Sequence, residues 1–216
     1  MKKILKILIL CLIFYGVYMG FDKETRAAKK TIIKNDIILI NDSSEIGENY
    51  KSDLVEAEIE FVHEADNEER LVSKQIKKPL KELINGAKEE GISLLGTSGY
   101  RSYNTQKFIY KREVMIKGKR YAENYIAKPG QSEHQTGLCI DLTNPSRLFI
   151  RGTKEADWLN DNCYRYGFIV RYQKGKERIT KKNYEPWHIR YVGKKVAKEI
   201  YEKGICLEEY LGEAYE

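Results

Sequence analysis

Three stretches of the chain repeat hydrophobic residues at the spacing of an amphipathic helix, and a further helix is predicted to start around Ser102 to Asn104 and to run toward Lys117. A glycine follows each of the four stretches. The predicted helices cover about residues 76–87, 102–117, 154–166 and 196–201. The third begins after Thr153, a good N-cap residue, and Glu155 and Asp157 lie in its first turn, where the helix dipole favours carboxylates. Four helices with recognisable ends are therefore predicted.

Short apolar runs predict strands over residues 37–40, 94–97, 138–140, 168–172 and 187–192. A polar loop rich in Lys, Glu and Gly separates the last two runs, which is typical of a hairpin. Helices and strands do not alternate regularly along the chain. This order favours an α+β domain, with a small and largely antiparallel sheet flanked by helices, over a doubly wound α/β fold.

The amino terminus has the layout of a targeting segment. Fifteen uncharged residues from Ile7 to Phe21 follow a cluster of three lysines, as in a signal peptide or a signal-anchor. No small-x-small cleavage site follows this run directly, which favours a retained anchor over a cleaved peptide. We therefore expect an exporting segment, a juxtamembrane linker and one domain outside the membrane, over residues 1–21, 22–36 and 37–216.

Of the 216 residues, 42% are hydrophobic and 32% are charged, which excludes a disordered chain and allows one sizeable core. The formal net charge is +6, and half of it comes from the three lysines at the amino terminus. The remainder is close to balance, so nucleic-acid binding is not expected. Beyond the apolar run only Cys139, Cys163 and Cys206 remain, and this odd number without a C-x-x-C pair predicts core packing rather than disulfides.

Two short stretches pair a histidine with a carboxylate. His134 precedes Asp141 by seven residues, and Glu185 precedes His188 by three. Taken singly, each histidine could equally be a hydrogen-bonded structural residue. Together, two histidines and one carboxylate with an open fourth position form the zinc arrangement of hydrolytic metalloenzymes, and a second carboxylate could act as base. Because a regular strand would send Glu185 and His188 to opposite faces, we expect the chain to turn at Pro186.

A third stretch, from Thr97 to Gln106, runs from a predicted strand into a predicted helix. It places Arg101 and several hydrogen-bond donors at the start of the helix, where anions bind well. An ordinary salt bridge would explain Arg101 equally well. The remaining histidine, His63, has no comparable neighbours and is expected at the surface or in a strand.

In combination, the three stretches resemble the VanY-type D-alanyl-D-alanine carboxypeptidases. The similarity extends over about residues 37–204, and it rests on Ser-Gly-Tyr-Arg-Ser with Gln106, on Ser-x-His-x-x-Gly-x-x-x-Asp from Ser132, and on Glu-x-Trp-His from Glu185. The resemblance implies a zinc peptidase with the fold shared by lysostaphin-like endopeptidases and hedgehog signalling domains. It implies these roles: zinc ligands His134, Asp141 and His188, catalytic base Glu185, oxyanion contact Arg101, and substrate-carboxylate contacts Ser132 and Gln106.

The implied activity is removal of the terminal D-alanine from peptidoglycan stem peptides that end in D-Ala-D-Ala, with Zn²⁺ as cofactor. The same motifs also suit an L,D-carboxypeptidase, a cross-link endopeptidase or, without activity, a wall-binding module. We further expect a monomer at the bacterial cell surface, anchored in the membrane by its amino-terminal segment or secreted. Cys139 stands where the family more often has alanine, and it is expected to pack away from any catalytic group.

Overall fold

Residues 31–213, which the computed structural model describes, form eight strands, seven α-helices and two short 3₁₀ helices. The strands are β1 (Ile32–Lys34), β2 (Ile37–Leu39), β3 (Leu54–Glu56), β4 (Leu71–Ser73), β5 (Leu95–Ser98), β6 (Cys139–Thr143), β7 (Phe168–Tyr172) and β8 (Glu185–Tyr191). The helices are α1 (Lys74–Glu89), α2 (Tyr103–Lys117), α3 (Lys119–Tyr125), α4 (Lys154–Asn162), α5 (Glu177–Thr180), α6 (Lys194–Lys203) and α7 (Leu207–Leu211). The 3₁₀ helices are Glu133–Thr136 and Cys163–Tyr166.

The central sheet contains β5, β6, β8 and β7 in that spatial order, and every neighbouring pair is antiparallel. The other strands form two separate antiparallel pairs, β1 with β2 and β3 with β4. The predicted α+β class is confirmed, and so is the pairing of β7 with β8. Because β6 and β8 are the inner strands of the sheet, hydrogen bonds on both sides hold their residues in place.

The main core lies between the central sheet and helices α1 and α4. Helix α1 begins after the N-cap Ser73 and buries a face made of Ile76, Leu80, Leu83 and Ala87. The same cluster contains side chains of the sheet and of α4, namely Ile140, Leu142, Phe168, Ile189 and Leu159. Gly86 lets α1 approach its neighbour closely, because a Cβ atom there would lie 1.9 Å from the hydroxyl of Tyr166.

The remaining helix predictions hold with small differences. The hydroxyl of Ser102 caps α2 by accepting a hydrogen bond from the backbone N–H of Thr105. The single helix predicted over residues 154–166 is instead α4 followed by a 3₁₀ helix, whose Gly167 cap has a positive φ. Cys139, Cys163 and Cys206 are free and buried, as predicted, and His63 is exposed in a turn.

The predicted linker over residues 22–36 is wrong at its carboxyl end, because Ile32–Lys34 forms β1 and pairs with β2. The connecting residues Asn35 and Asp36 have φ angles of 52° and 61°. Such angles are typical of a type I′ hairpin turn, and Asn and Asp tolerate them. The predicted anchor over residues 7–21 lies outside the described residues. Within residues 31–213, no helix combines the length and the hydrophobicity that crossing a bilayer requires.

Candidate active site

A tight turn before β6 orients His134. The turn closes at Gly137, where φ is 67° and a Cβ atom would lie 2.8 Å from the backbone nitrogen of Ser73. Nδ1 of His134 is 2.6 Å from the carbonyl oxygen of Gly99. Because a carbonyl oxygen only accepts hydrogen bonds, Nδ1 carries a hydrogen, and Nε2 is the ring nitrogen that a metal would use.

The pairing of β6 with β8 brings the other two predicted ligands to His134. Asp141 and His188 lie opposite each other in the strand register. One carboxylate oxygen of Asp141 is 2.8 Å from Nδ1 of His188, and the other is 3.4 Å from Nε2 of His134. The two imidazole rings are 5.0 Å apart between centroids. Two nitrogen donors and one carboxylate therefore converge from three parts of the chain.

Cys139 joins this cluster, so the prediction that it lies away from every catalytic group is wrong. Its sulfur and one ring nitrogen from each of His134 and His188 lie within 4.8 Å of one another. The reason is strand alternation, which turns Cys139 and Asp141 to the same side of β6 and Ile140 to the core. Cys139 is fully buried, whereas the side chain of Asp141 keeps 17% of its surface exposed.

The donors fit a metal cation in their charge as well as in their chemistry. Burial would lower the pKa of both imidazoles, and Arg101 would further lower that of His134. The negative charges of Cys139 and Asp141 outweigh these effects. They raise the pKa of His134 to about 9 and that of His188 well above its usual value. Burial would raise the pKa of the Cys139 thiol, but the two histidines lower it to about 7. The cluster thus attracts positive charge, and imidazole, carboxylate and thiolate groups are the usual ligands of zinc.

Glu185 reaches the same cleft through an irregularity in β8. Tyr172 lies opposite Glu185, but Val170, two residues earlier, lies opposite Ile189, four residues later. The alternation of side chains is therefore broken by a bulge within β8, and not by the predicted turn at Pro186 before the strand. As a result, Glu185 and His188 both border the cleft. Burial is the main cause that raises the pKa of the Glu185 carboxyl. A carboxylate with a raised pKa is suited to accept a proton near neutral pH.

Arg101 is held at the cleft wall by its neighbours. Its Nε donates to Oγ of Ser98 at 3.1 Å, and its Nη1 donates to Oε1 of Gln106 at 2.8 Å. Gln106 is itself buried and donates through Nε2 to the carbonyl oxygen of Ala127 at 2.7 Å. The remaining nitrogen of the guanidinium group, Nη2, lies 3.8 Å from a carboxylate oxygen of Asp141. The arginine thus presents a fixed positive charge beside the cluster.

All seven predicted site residues line one open cleft, namely Arg101, Gln106, Ser132, His134, Asp141, Glu185 and His188. The sequence interpretation missed Glu133, Tyr172, Lys182 and Trp187, which line the same cleft. Trp187 and Glu133 lie inside the recognised motifs, but no signal in the sequence pointed to a cleft position for Lys182.

Comparison with known proteins agrees with this geometry. The family model described as VanY, D-alanyl-D-alanine carboxypeptidase, matches residues 69–194. The YodJ protein of Bacillus subtilis (strain 168) is 46% identical over 183 residues, which cover 82% of this chain and 67% of that protein. This chain spans about two thirds of the length of the curated relatives it matches.

Two solved structures show the same fold. The LdcB LD-carboxypeptidase is 40% identical, with a TM-score of 0.77, and the match covers 87% of this chain and 95% of that one. The vancomycin-resistance D,D-pentapeptidase VanY in complex with Zn(II) is 35% identical, with a TM-score of 0.66, covering 81% of this chain and 97% of the other. On the matched residues and the shared fold, the chain belongs to the VanY family of D-alanyl-D-alanine carboxypeptidases.

Proposed function

We propose that this protein is a zinc-dependent carboxypeptidase that removes the terminal D-alanine from peptidoglycan stem peptides ending in D-Ala-D-Ala. The observation that carries the proposal is the convergence of all seven predicted site residues on one cleft. Membership of the VanY family supports the reaction, and the Zn(II) complex of the related D,D-pentapeptidase supports the cofactor. The presence of Glu185 in the cleft beside the candidate ligands speaks against an inactive wall-binding module.

We assign the metal to Nε2 of His134, a carboxylate oxygen of Asp141 and Nδ1 of His188. Gly99 leaves Nε2 of His134 free, and the two oxygens of Asp141 each approach one histidine. Asp141 is preferred to Cys139 because it borders the cleft, and a catalytic site needs one position open to substrate. Bound zinc would supply Lewis acidity to the scissile carbonyl and lower the pKa of a water molecule.

Glu185 performs the proton transfers in this proposal. It takes a proton from the attacking water and later gives it to the amine of the departing D-alanine. Its place at the cleft wall, close in sequence to His188, lets it face the water without occupying a ligand position. The raised pKa that burial imposes makes it a stronger base than an exposed glutamate.

Arg101 stabilises the negative charge that develops on the carbonyl oxygen. Ser98 and Gln106 hold two of its nitrogens, so the guanidinium is oriented before substrate binds. Gln106 already forms hydrogen bonds with Arg101 and Ala127, so its main role in this proposal is to hold Arg101 in place. Ser132, buried at the cleft wall, remains the candidate contact for the substrate's terminal carboxylate.

An L,D-carboxypeptidase is the second candidate, because the LdcB enzyme is more similar in sequence and in structure than the D,D-pentapeptidase. The two activities differ in the peptide they cut. We expect zinc-loaded protein to release D-alanine from a pentapeptide stem and to leave the resulting tetrapeptide intact, as followed by mass spectrometry. A preference for the tetrapeptide would assign L,D-specificity, and cleavage of a cross-linked dimer would assign an endopeptidase. The Glu185→Gln variant controls for contaminating peptidases.

We also propose that the enzyme works outside the cell as a monomer, anchored by the apolar run from Ile7 to Phe21. Three lysines precede this run, as in exported proteins, and the substrate class lies in the wall. Protease added to intact cells should digest the domain. Protection until lysis would place it in the cytoplasm.

A further inference from the structure

A buried network of charged residues lies behind the candidate metal ligands. Glu133, Arg171, Arg190 and Glu208 come from separate elements of the fold, and none of their side chains is more than 1% exposed. Two carboxylates and two guanidinium groups balance in formal charge. Removing any one of them would leave a net charge among the remaining buried ions, which is strongly unfavourable, so the members hold one another in place.

Glu133 is the member of this network that reaches the site. Its Oε1 accepts hydrogen bonds from Arg171 at 2.8 Å and from Arg190 at 2.7 Å. Its Oε2 lies 3.3 Å from Nε2 of His188. Both ring nitrogens of His188 face a carboxylate, since Nδ1 lies 2.8 Å from Asp141, and a carboxylate is an acceptor only. A metal held by His134 and Asp141 would displace the hydrogen from Nδ1, whereas Glu133, which two guanidinium groups hold in place, keeps the hydrogen on Nε2.

Helix α7 supports the network from the carboxyl end of the chain. Glu208 accepts hydrogen bonds from Nη1 and Nη2 of Arg171 at 2.9 and 2.7 Å, and from Asn41 at 3.2 Å. With both terminal nitrogens held, Arg171 points its Nε at Glu133. Glu208 lies beyond residues 69–194, the part of the chain that the family model matches. The recognised motifs therefore do not contain this support.

We propose that Glu133 is a positioning residue that fixes the tautomer and ring orientation of His188 for metal binding, and that Glu208 acts at one remove by holding Arg171 against Glu133. The proposal rests on the zinc site proposed above. Outer contacts of this kind typically change metal affinity by about 10- to 100-fold when they are removed.

The unchanged protein provides the first test, without any substitution. In the zinc-loaded full chain in detergent micelles, long-range ¹H–¹⁵N correlation spectra report which nitrogen of each imidazole carries a hydrogen. We expect Nε2 of His188 to be protonated and Nδ1 to be free of hydrogen. The opposite tautomer would overturn the role of Glu133.

The second test compares zinc affinities by competition with a chelator. Glu133→Gln should bind zinc about 10- to 100-fold more weakly, and Glu208→Gln should show a smaller loss in the same direction. Two matched controls should keep the affinity of the unchanged protein: Glu155→Gln, which alters a buried glutamate bonded to Asn144, and Glu209→Gln, which alters the next residue of α7.

Melting temperatures of the metal-free variants separate positioning from simple structural support. A lower melting temperature with unchanged zinc affinity in Glu133→Gln would mean that the network only stabilises the fold, and the proposal would be wrong. If Glu133→Gln does not fold, the tautomer of His188 in Glu208→Gln decides, and an unaltered ring would count against the proposal. Absence of zinc binding by the unchanged protein would overturn the zinc site itself as well.

Discussion

The identity of the third metal ligand is open to a direct test, because Asp141 and Cys139 both lie beside the two histidines. We expect Asp141→Asn to lose zinc and Cys139→Ala to keep it. Asp141 exposes 17% of its side chain to the cleft, whereas Cys139 exposes none. A ligand at the cleft wall leaves an open coordination position facing the substrate, which catalysis requires.

The expected magnitudes differ strongly between the two variants. Cys139→Ala removes one sulfur atom from a fully buried place, a loss similar to that of one buried methylene, or about 1 kcal/mol. In a chain of this length, that loss lowers the melting temperature by about 2–4 °C. Asp141→Asn keeps the size of the side chain but removes a charged ligand. Its loss of zinc affinity should exceed the roughly 100-fold limit that is typical of outer contacts.

The assay uses full-length protein equilibrated with zinc that a chelator holds at a fixed free concentration. Elemental analysis then gives the zinc content, and thermal unfolding gives the stability. Cys163→Ala serves as the matched control, because it removes the same atom from another buried place that is not part of the cluster. Zinc retained by Asp141→Asn and lost from Cys139→Ala would make the thiolate the ligand and refute the reasoning from exposure.

Three further predictions follow from the geometry of the cleft. Glu185→Gln should keep its zinc but lower kcat by about 100-fold or more, because it removes the base without removing a ligand. The control Glu202→Gln, at an exposed position of α6, should leave kcat unchanged. A near-normal kcat in zinc-loaded Glu185→Gln would mean that another group accepts the proton. Lys182 lowers the pKa of Glu185, so Lys182→Met should move the acidic limb of kcat/KM to higher pH, and a shift to lower pH would contradict this. Release of D-alanine should survive penicillin, which acylates serine nucleophiles, and should stop with a chelator until zinc returns.

Local patterns in the sequence were enough to predict the fold class and to name the candidate site residues. Helical and strand periodicity predicted α1 and the β7–β8 pair, because each of these segments buries a continuous apolar face that local spacing reveals. Helix α2 was predicted from its ends, because it buries Gln106 and Glu113 beside Tyr110. The motifs around His134 and Glu185 were recognisable because their residues are close together in the chain. For the same reason, the predicted site residues could be named before their distances were known.

Tertiary structure decided which other residues share the site, because contacts between distant segments depend on strand register and packing. Cys139 lies two residues before Asp141, but its position beside the histidines depends on the pairing of β6 with β8. The sequence alone does not show this pairing. The contact between Arg171 and Glu208 links residues 37 positions apart, and no local pattern predicts it. The bulge in β8 likewise placed Glu185 at the cleft against the alternation that an unbroken strand imposes.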